Sequence, residues 1–567
     1  MPRLFSRLFP IVLLGALAIS ACSKDSEVPA PNPSTSSSTD AAPPGSLEIV
    51  FPFGSEKEDW LEAVTKDFNA AGHESSSGKP IYIKLMPMGS GECMEEVRTG
   101  RVQAHLVSPA SGAFIELANA THRAETGKNL VERSENLVLS PVVIAMWKPM
   151  AQAMGWPDKQ IGWGDILDIA QSGEGWKKYN MPQWGKFRFG HTHPEYSNSG
   201  LISLLAEVYA ATGKTRGLTR EDVAKSETAK YLEEIEQAVV HYGSSTGFFG
   251  KTMFNNGPSY LSAAVMYENM VIEAERGDYN LSMDVVALYP KEGTFWSDHP
   301  CGLVNAAWND EEHKEAAQNF IDYLLEKPQQ ERAMQFGFRP SDVKVPLAAP
   351  IDEAHGVNPK EPKTTLEVPG ADVMNDILKL WSKKKKHSNV IVVLDTSGSM
   401  QQDQRMQNAK LGAQEMIKLL HDEDSFSLLS FSDEMSWLGK GSPVGAKRAE
   451  VERNIASLFP EGRTRLYDSI LEAHKYARSA ANDKLITAIV VLTDGEDTRS
   501  QASLTTLLAR ISAGENGDTV PVFTIGYSTG DAQNRELSDI AERTRAKFYK
   551  GTPENIREVF KSISTFF

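Results

Sequence analysis

The chain has 567 residues, 24% of them charged and 41% hydrophobic, and it carries a formal net charge of −16. That length is too great for a single small core and requires several domains. The acidic balance excludes nucleic acid as an expected partner and argues against electrostatic adhesion to anionic membranes.

At the amino terminus, Arg3 and Arg7 precede an apolar run over 11–19, and Ser20-Ala21-Cys22 follows. Charge, short apolar run and small residues in that order read as a secretory signal, too short and wrongly flanked for a membrane span. Ile19-Ser-Ala-Cys22 also resembles a bacterial lipobox. The resemblance implies removal of 1–21 and acylation of Cys22, so that the protein is anchored in the periplasm or at the cell surface. Losing Arg3 and Arg7 takes the formal charge from −16 to −18. With Cys22 acylated, residues 23–46 are rich in Ser, Thr, Pro and Ala and read as a disordered tether of about 25–30 Å. No other segment reaches the roughly 18 apolar residues of a span.

Three cysteines are present. With Cys22 acylated, Cys93 and Cys301 remain, and an even remainder in an oxidising compartment invites a disulfide. It would close a loop of about 200 residues and contribute on the order of 4–5 kcal/mol in the chain-entropy view. Two buried free thiols are the alternative.

Residues 47–386 are expected to form a two-lobed α/β domain. A strand over 47–52 is followed by Gly54-Ser55 and a helix over 60–70. A second strand over 81–86 leads to Gly89-Ser90-Gly91, and a third over 105–107 leads to Ser108-Pro-Ala-Ser111-Gly112. Strand, hydroxyl-rich loop, then helix is an arrangement in which helix amides bind an anion or a polar group. Any one of these loops is equally a turn with an N-cap. Further along, Gly190-His-Thr192-His-Pro-Glu-Tyr-Ser197 precedes a helix over 201–212.

This order resembles periplasmic solute-binding proteins of the two-lobed type II. The resemblance implies crossovers near 138–146 and 298–305, with 351–386 completing the first lobe. It places Ser55, Ser90, Ser111, Thr192, Ser197 and Tyr267 in a cleft as donors to a small polar or anionic solute. Trp163, Trp176 and Trp184 are an alternative platform for a sugar. His191 and His193 suggest a metal only weakly, having no Cys or acidic partner at a known spacing. Gly-Lys-Thr at 213–215 and 250–252 is rejected as a phosphate loop, because Val208 and Ser245 stand where its first glycine belongs. The basic run Lys383–Lys386 suits a helix C-terminus at an interdomain joint.

Beyond residue 386 the pattern changes. Apolar runs over 390–394, 426–431, 489–492 and 520–525 read as short strands. They alternate with helical stretches over 408–420, 466–477, 504–511, 532–543 and 555–566. Such alternation implies a mostly parallel, doubly wound sheet. The first of these strands ends in Asp395-Thr-Ser397-Gly-Ser399, a later loop supplies Thr464, and another strand ends in Thr493-Asp494-Gly495. Ligand sites of open α/β sheets gather at the carboxyl ends of strands, and hard oxygen donors suit Mg²⁺. Asp395, Ser397, Ser399, Thr464 and Asp494 match, residue for residue, the metal-ion-dependent adhesion site of von Willebrand factor A domains. The resemblance covers 387–567. It implies bound Mg²⁺, or Ca²⁺ or Mn²⁺, and a protein partner that offers an Asp or Glu to the metal.

No general base or nucleophile with a plausible partner accompanies these loops, so a binding protein is expected and not an enzyme. The expected function is an exported, membrane-anchored protein that recruits a partner through the metal, while the first domain senses a solute. The alternative is a solute receptor of an ABC-type transporter, with the second domain as a docking module.

Overall fold

Two parallel strands, β1 (Leu47–Gly54) and β2 (Ile81–Met88), begin the first lobe and pair along their full length. The computed structural model describes residues 42–481, 484–512 and 519–567, so the expected signal, Cys22 and most of the tether lie outside the described residues. The helix Glu58–Ala71 buries Trp60, Leu61, Val64 and Phe68, an i, i+1, i+4, i+8 stripe, and so lays one face on the core. β3 (Leu106–Val107) and β4 (Val131–Asn136) follow.

From there β5 (Val138–Trp147) runs directly into the second lobe. That lobe adds β6 (Phe189–Gly190), β7 (Ala263–Tyr267), β8 (Val285–Leu288) and β9 (Trp296–Ser297). β5 pairs antiparallel with β7, β8 and β9, and β6 lies parallel to β7. The chain returns in β10 (Pro300–Val304), which sits between β3 and β4, and β11 (Arg339–Pro340) closes against β5.

The helix Ala371–Lys384 does not complete the first lobe, as expected above; its main packing is against the second. Its buried stripe Val373, Met374, Ile377 and Trp381 lies on the second-lobe helices Asn198–Thr212 and Ser226–Glu236. Asp376 pairs with Arg220, and Lys384 Nζ reaches Glu233 at 2.7 Å. An apolar stripe must cover an apolar surface, and the second lobe supplies it.

The carboxyl-terminal sheet has the order β14 (Met435–Pro443), β13 (Ser425–Phe431), β12 (His387–Asp395), β15 (Leu485–Thr493), β16 (Val522–Tyr527), β17 (Phe548–Gly551). All neighbours are parallel except β14, an antiparallel edge that the sequence pattern did not suggest. Along β12, Val390, Val392 and Leu394 enter one apolar cluster, and Ile391 and Val393 enter another on the opposite face. A strand buried on both faces needs such an unbroken aliphatic run. Each fully buried side chain there contributes about 1.5–3 kcal/mol relative to exposure.

Residues Pro43–Phe567 form one compact unit. The final helix, Ile556–Ser564, joins the sheet domain to both lobes. Lys561 Nζ lies 2.8 Å from Glu96 Oε1 of the first lobe and 5.8 Å from the Tyr196 ring centroid of the second. The Phe566 ring stacks on His241 at 4.3 Å, and Phe566 O accepts from Tyr242 N at 3.2 Å.

Candidate metal centre and the interlobe surface

Asp395 closes β12 at the carboxyl edge of the sheet, beside the end of β15 with Thr493 and Asp494. Two backbone bonds hold the Thr464 loop alongside: Gly398 N donates to Gly462 O (3.0 Å) and Glu461 N donates to Thr396 O (2.7 Å). Thr464 N donates in turn to Thr498 Oγ1 (3.0 Å), which ties that loop to the turn after Asp494. Five oxygen-bearing side chains from three loops are therefore brought together. Ser397 Oγ and Ser399 Oγ are 3.0 Å apart, and Ser399 Oγ donates to Asp494 Oδ1 at 2.7 Å. A Cβ placed on Gly495 would lie 3.9 Å from Ser399 Oγ and 4.0 Å from Thr464 Oγ1, so both hydroxyls face this turn.

The donor set fits a small divalent cation. Adjacent ligands on an octahedral ion with bonds of 2.0–2.1 Å lie about 2.9 Å apart, close to the oxygen separations just given. Asp395 is wholly buried. Burial pushes its carboxyl up to about 6, against the lowering effect of hydrogen bonds from Thr493 Oγ1 (2.5 Å) and Ser397 N (2.7 Å). A buried carboxylate of that kind is best stabilised by a cation. Arg405 already supplies one positive charge to the site, its Nη1 lying 2.8 Å from Asp494 Oδ2.

The six expected cleft residues lie where the two lobes meet, and they are bonded within the protein. Ser55 Oγ accepts from Gly247 N (3.2 Å), Ser90 Oγ from Ala110 N (2.9 Å), and Ser111 Oγ from Ala113 N (3.2 Å). Thr192 Oγ1 pairs with Ser199 Oγ (2.8 Å), and Ser197 Oγ pairs with Thr246 Oγ1 (3.1 Å). The Tyr267 hydroxyl accepts from Asn198 Nδ2 (3.0 Å). The helix starts are answered likewise. Gly91 N, at the head of the helix Ser90–Arg98, donates to Tyr196 O of the other lobe (2.9 Å). Gly112 N donates to Asp298 Oδ1 (2.9 Å). The lobes are in backbone contact, for a Cβ on Gly91 would fall 1.9 Å from Glu195 O.

At the cysteines the structure takes the free-thiol alternative, and it does not support the sugar platform. Cys93 and Cys301 are free thiols and not a disulfide. They belong to different apolar clusters, Cys93 Sγ donates weakly to Pro52 O (3.5 Å), and burial pushes its thiol up to about 12. Trp163 and Trp176 are core residues, with Trp184 edge-on to Trp176 at 5.4 Å, and no sugar platform forms. His193 is enclosed by the rings of Tyr196, Tyr242 and Trp381, and among the described residues no acid forms an ion pair with it.

Residues 53–339, just over half of the chain, match the family of bacterial extracellular solute-binding proteins. The chain belongs to that family. Residues 389–562 of this family member match the von Willebrand factor type A domain, a fold that commonly binds a divalent metal. Over 156 residues it is 28% identical to inter-alpha-trypsin inhibitor heavy chain H4 of Sus scrofa, covering 26% of this chain and 16% of that one. Over 166 residues it is 26% identical to the uncharacterized protein YfbK of Escherichia coli K12, covering 28% of each. The chain thus spans less than a third of either relative. Among solved structures, the sulfate-binding protein SubI of Mycobacterium tuberculosis aligns with 19% identity and a TM-score of 0.35, covering 53% of this chain and 88% of that one.

Sequence reasoning missed several residues of this family member's two sites. Arg405 was hidden because its partner Asp494 is 89 positions away. Thr246, Asn198 and Ser199 complete the hydroxyl network inside the second lobe, where Thr246 reaches Ser197 and Ser199 and Asn198 reaches Tyr267. A buried trio was missed as well. Lys57 Nζ lies 2.6 Å from Glu56 Oε1, with His299 Nδ1 3.3 Å from that same oxygen. Burial opposes ionisation of Glu56, but Lys57 and His299 outweigh it and hold the carboxyl down at about 2.

Proposed function

We propose that this protein is an extracytoplasmic binding protein that captures a protein partner through a divalent metal at Asp395, Ser397, Ser399, Thr464 and Asp494. When bound, the ion would supply an electrophilic position for a partner's Asp or Glu. Ser397, Ser399 and Thr464 would hold it directly, and the two carboxylates would balance its charge. Mg²⁺ suits five hard oxygen donors, and Ca²⁺ or Mn²⁺ would be accepted by the same set. The observation that carries the reading is the convergence of these residues from three loops on one sheet edge.

In this reading the protein binds and does not catalyse. Export and attachment through acylated Cys22 would place the metal edge outside the cytoplasm. The solute-binding domain serves as a platform with its lobes closed, because Gly247 N reaches Ser55 Oγ and Gly91 N reaches Tyr196 O across the lobes, while the other candidate donors are engaged within each lobe. That observation weighs against the transport-receptor alternative, which requires donors free for a solute.

The test is capture from an envelope extract of the producing bacterium, using the full chain and Asp395→Ala in Mg²⁺ or EDTA. A partner retained only by the unsubstituted chain in Mg²⁺ is expected. Equal capture under all conditions would sink the metal bridge.

A further inference from the structure

The second lobe contains another constellation, far from the sheet edge in sequence. His191 follows β6, Glu207 lies on the helix Asn198–Thr212, and Glu236 ends the helix Ser226–Glu236. All three are wholly buried, and one ligand atom from each lies within 4.8 Å of the others. His191 Nε2 and Glu236 Oε1 are 3.0 Å apart, and His191 Nδ1 sits 2.8 Å from Thr192 O. A backbone carbonyl on one ring nitrogen makes Nδ1 the protonated one and turns the Nε2 lone pair toward the carboxylates, the usual outer-shell device of a metal-bound imidazole.

Charge is the difficulty that this cluster presents. Two carboxylates lie in an apolar core, and among the described residues no Lys or Arg forms an ion pair with either. Glu236 is partly satisfied, since the Tyr242 hydroxyl donates to its Oε2 at 2.6 Å. Glu207 is not. Ser203 Oγ donates to Oε1 at 2.9 Å, while Oε2 is sealed from solvent and has no hydrogen-bond partner. A buried, unpaired carboxylate oxygen costs several kcal/mol unless a proton or a cation neutralises it.

We propose that His191, Glu207 and Glu236 hold a structural divalent transition-metal ion, Zn²⁺ by the chemistry of the donor set. One imidazole and two carboxylates are ligands that Zn²⁺ takes, and a 2+ ion cancels the two buried negative charges. Tetrahedral bonds of 2.0–2.2 Å put ligand atoms about 3.3–3.5 Å apart, so the 3.0 Å edge is near its required length and the third ligand atom, within 4.8 Å of both, is in reach. No ligand atom reaches solvent, so the ion would enter as the lobe folds and would resist chelators in the native state. The site is distinct from the oxygen-only edge at Asp395 in both place and metal preference.

The test uses the full chain carrying Asp395→Ala, which removes the other site, refolded with Zn²⁺ or Co²⁺ and dialysed against EDTA. Elemental analysis should find about one Zn²⁺ per chain, as a single three-ligand site requires. The Co²⁺-refolded chain should show the visible absorption of a low-coordinate Co²⁺ ion. Glu207→Gln in the same background should lose the metal and melt at a lower temperature. If that variant does not fold, the Co²⁺ spectrum of its parent decides alone. A parent chain without stoichiometric metal, or a Glu207→Gln chain as stable as its parent, would overturn the proposal and leave Glu207 as a neutral acid.

Discussion

Replacing Asp395 by Asn in the metal-free chain should stabilise the central strand, although it removes a residue of the metal site. Asp395 is wholly buried, and burial raises its carboxyl from 3.8 to about 6, opposed only in part by Thr493 and Ser397. A carboxyl raised by folding binds its proton more tightly in the folded chain than in the unfolded one. Stability is therefore lost as pH rises through the interval from about 4 to about 6, and the full cost stands above it. A rise from 3.8 to about 6 is worth about 3 kcal/mol. Asn has no charge to desolvate. Its Oδ1 still accepts from Ser397 N, and the Thr493 hydroxyl can accept from its Nδ2. Amide hydrogen exchange over residues 391–394 reads the opening free energy of β12 directly. In EDTA at pH 7.5 the variant should open less readily, by up to about 3 kcal/mol, with the difference fading toward pH 4. Mg²⁺ should protect the unsubstituted chain and leave the variant unchanged. A variant less protected in EDTA at pH 7.5 would refute the reasoning, because ionised Asp395 would then be stabilising without a metal.

Arg405→Gln should tighten Mg²⁺ binding several-fold in titration calorimetry, because it removes a positive charge 2.8 Å from Asp494; unchanged affinity would mean that the guanidinium does not oppose the ion. Gly91→Ala introduces a Cβ 1.9 Å from Glu195 O, so small-angle scattering should report a larger radius as the lobes separate. An identical scattering curve would count against the sealed interface. Alkylation without reductant should modify neither Cys93 nor Cys301 in the native chain and both after denaturation, whereas two protected thiols after denaturation would reinstate the disulfide.

The metal edge was legible because each of its parts is local. An unbroken aliphatic run marks the strand, and the residue after the run falls at the sheet edge, so Asp395, Ser397, Ser399 and Asp494 can be placed from periodicity and turn chemistry alone. Arg405 could not be found in this way, since its role depends on a contact between separate loops. The interlobe hydroxyls were legible as positions but not as partners. Ser197 and Tyr267 are far apart in sequence, and only the tertiary packing of the second lobe sets Thr246 and Asn198 between them. Cysteine parity was misleading, for a count carries no geometry and the two thiols are free. His191 attracted notice beside His193, yet its acidic neighbours Glu207 and Glu236 come from two helices whose packing a linear reading cannot place. The edge strand β14 and the helix Val444–Ser457 were missed because amphipathic, partly exposed segments give weak periodic signals.

The central claim is that a divalent metal at the sheet edge does the holding. Mg²⁺ titration of the full chain by calorimetry, beside Asp395→Ala, tests it most directly. About one Mg²⁺ per chain is expected, lost in the variant, as a single octahedral oxygen site requires. Equal Mg²⁺ uptake by both proteins, or none by either, would contradict it.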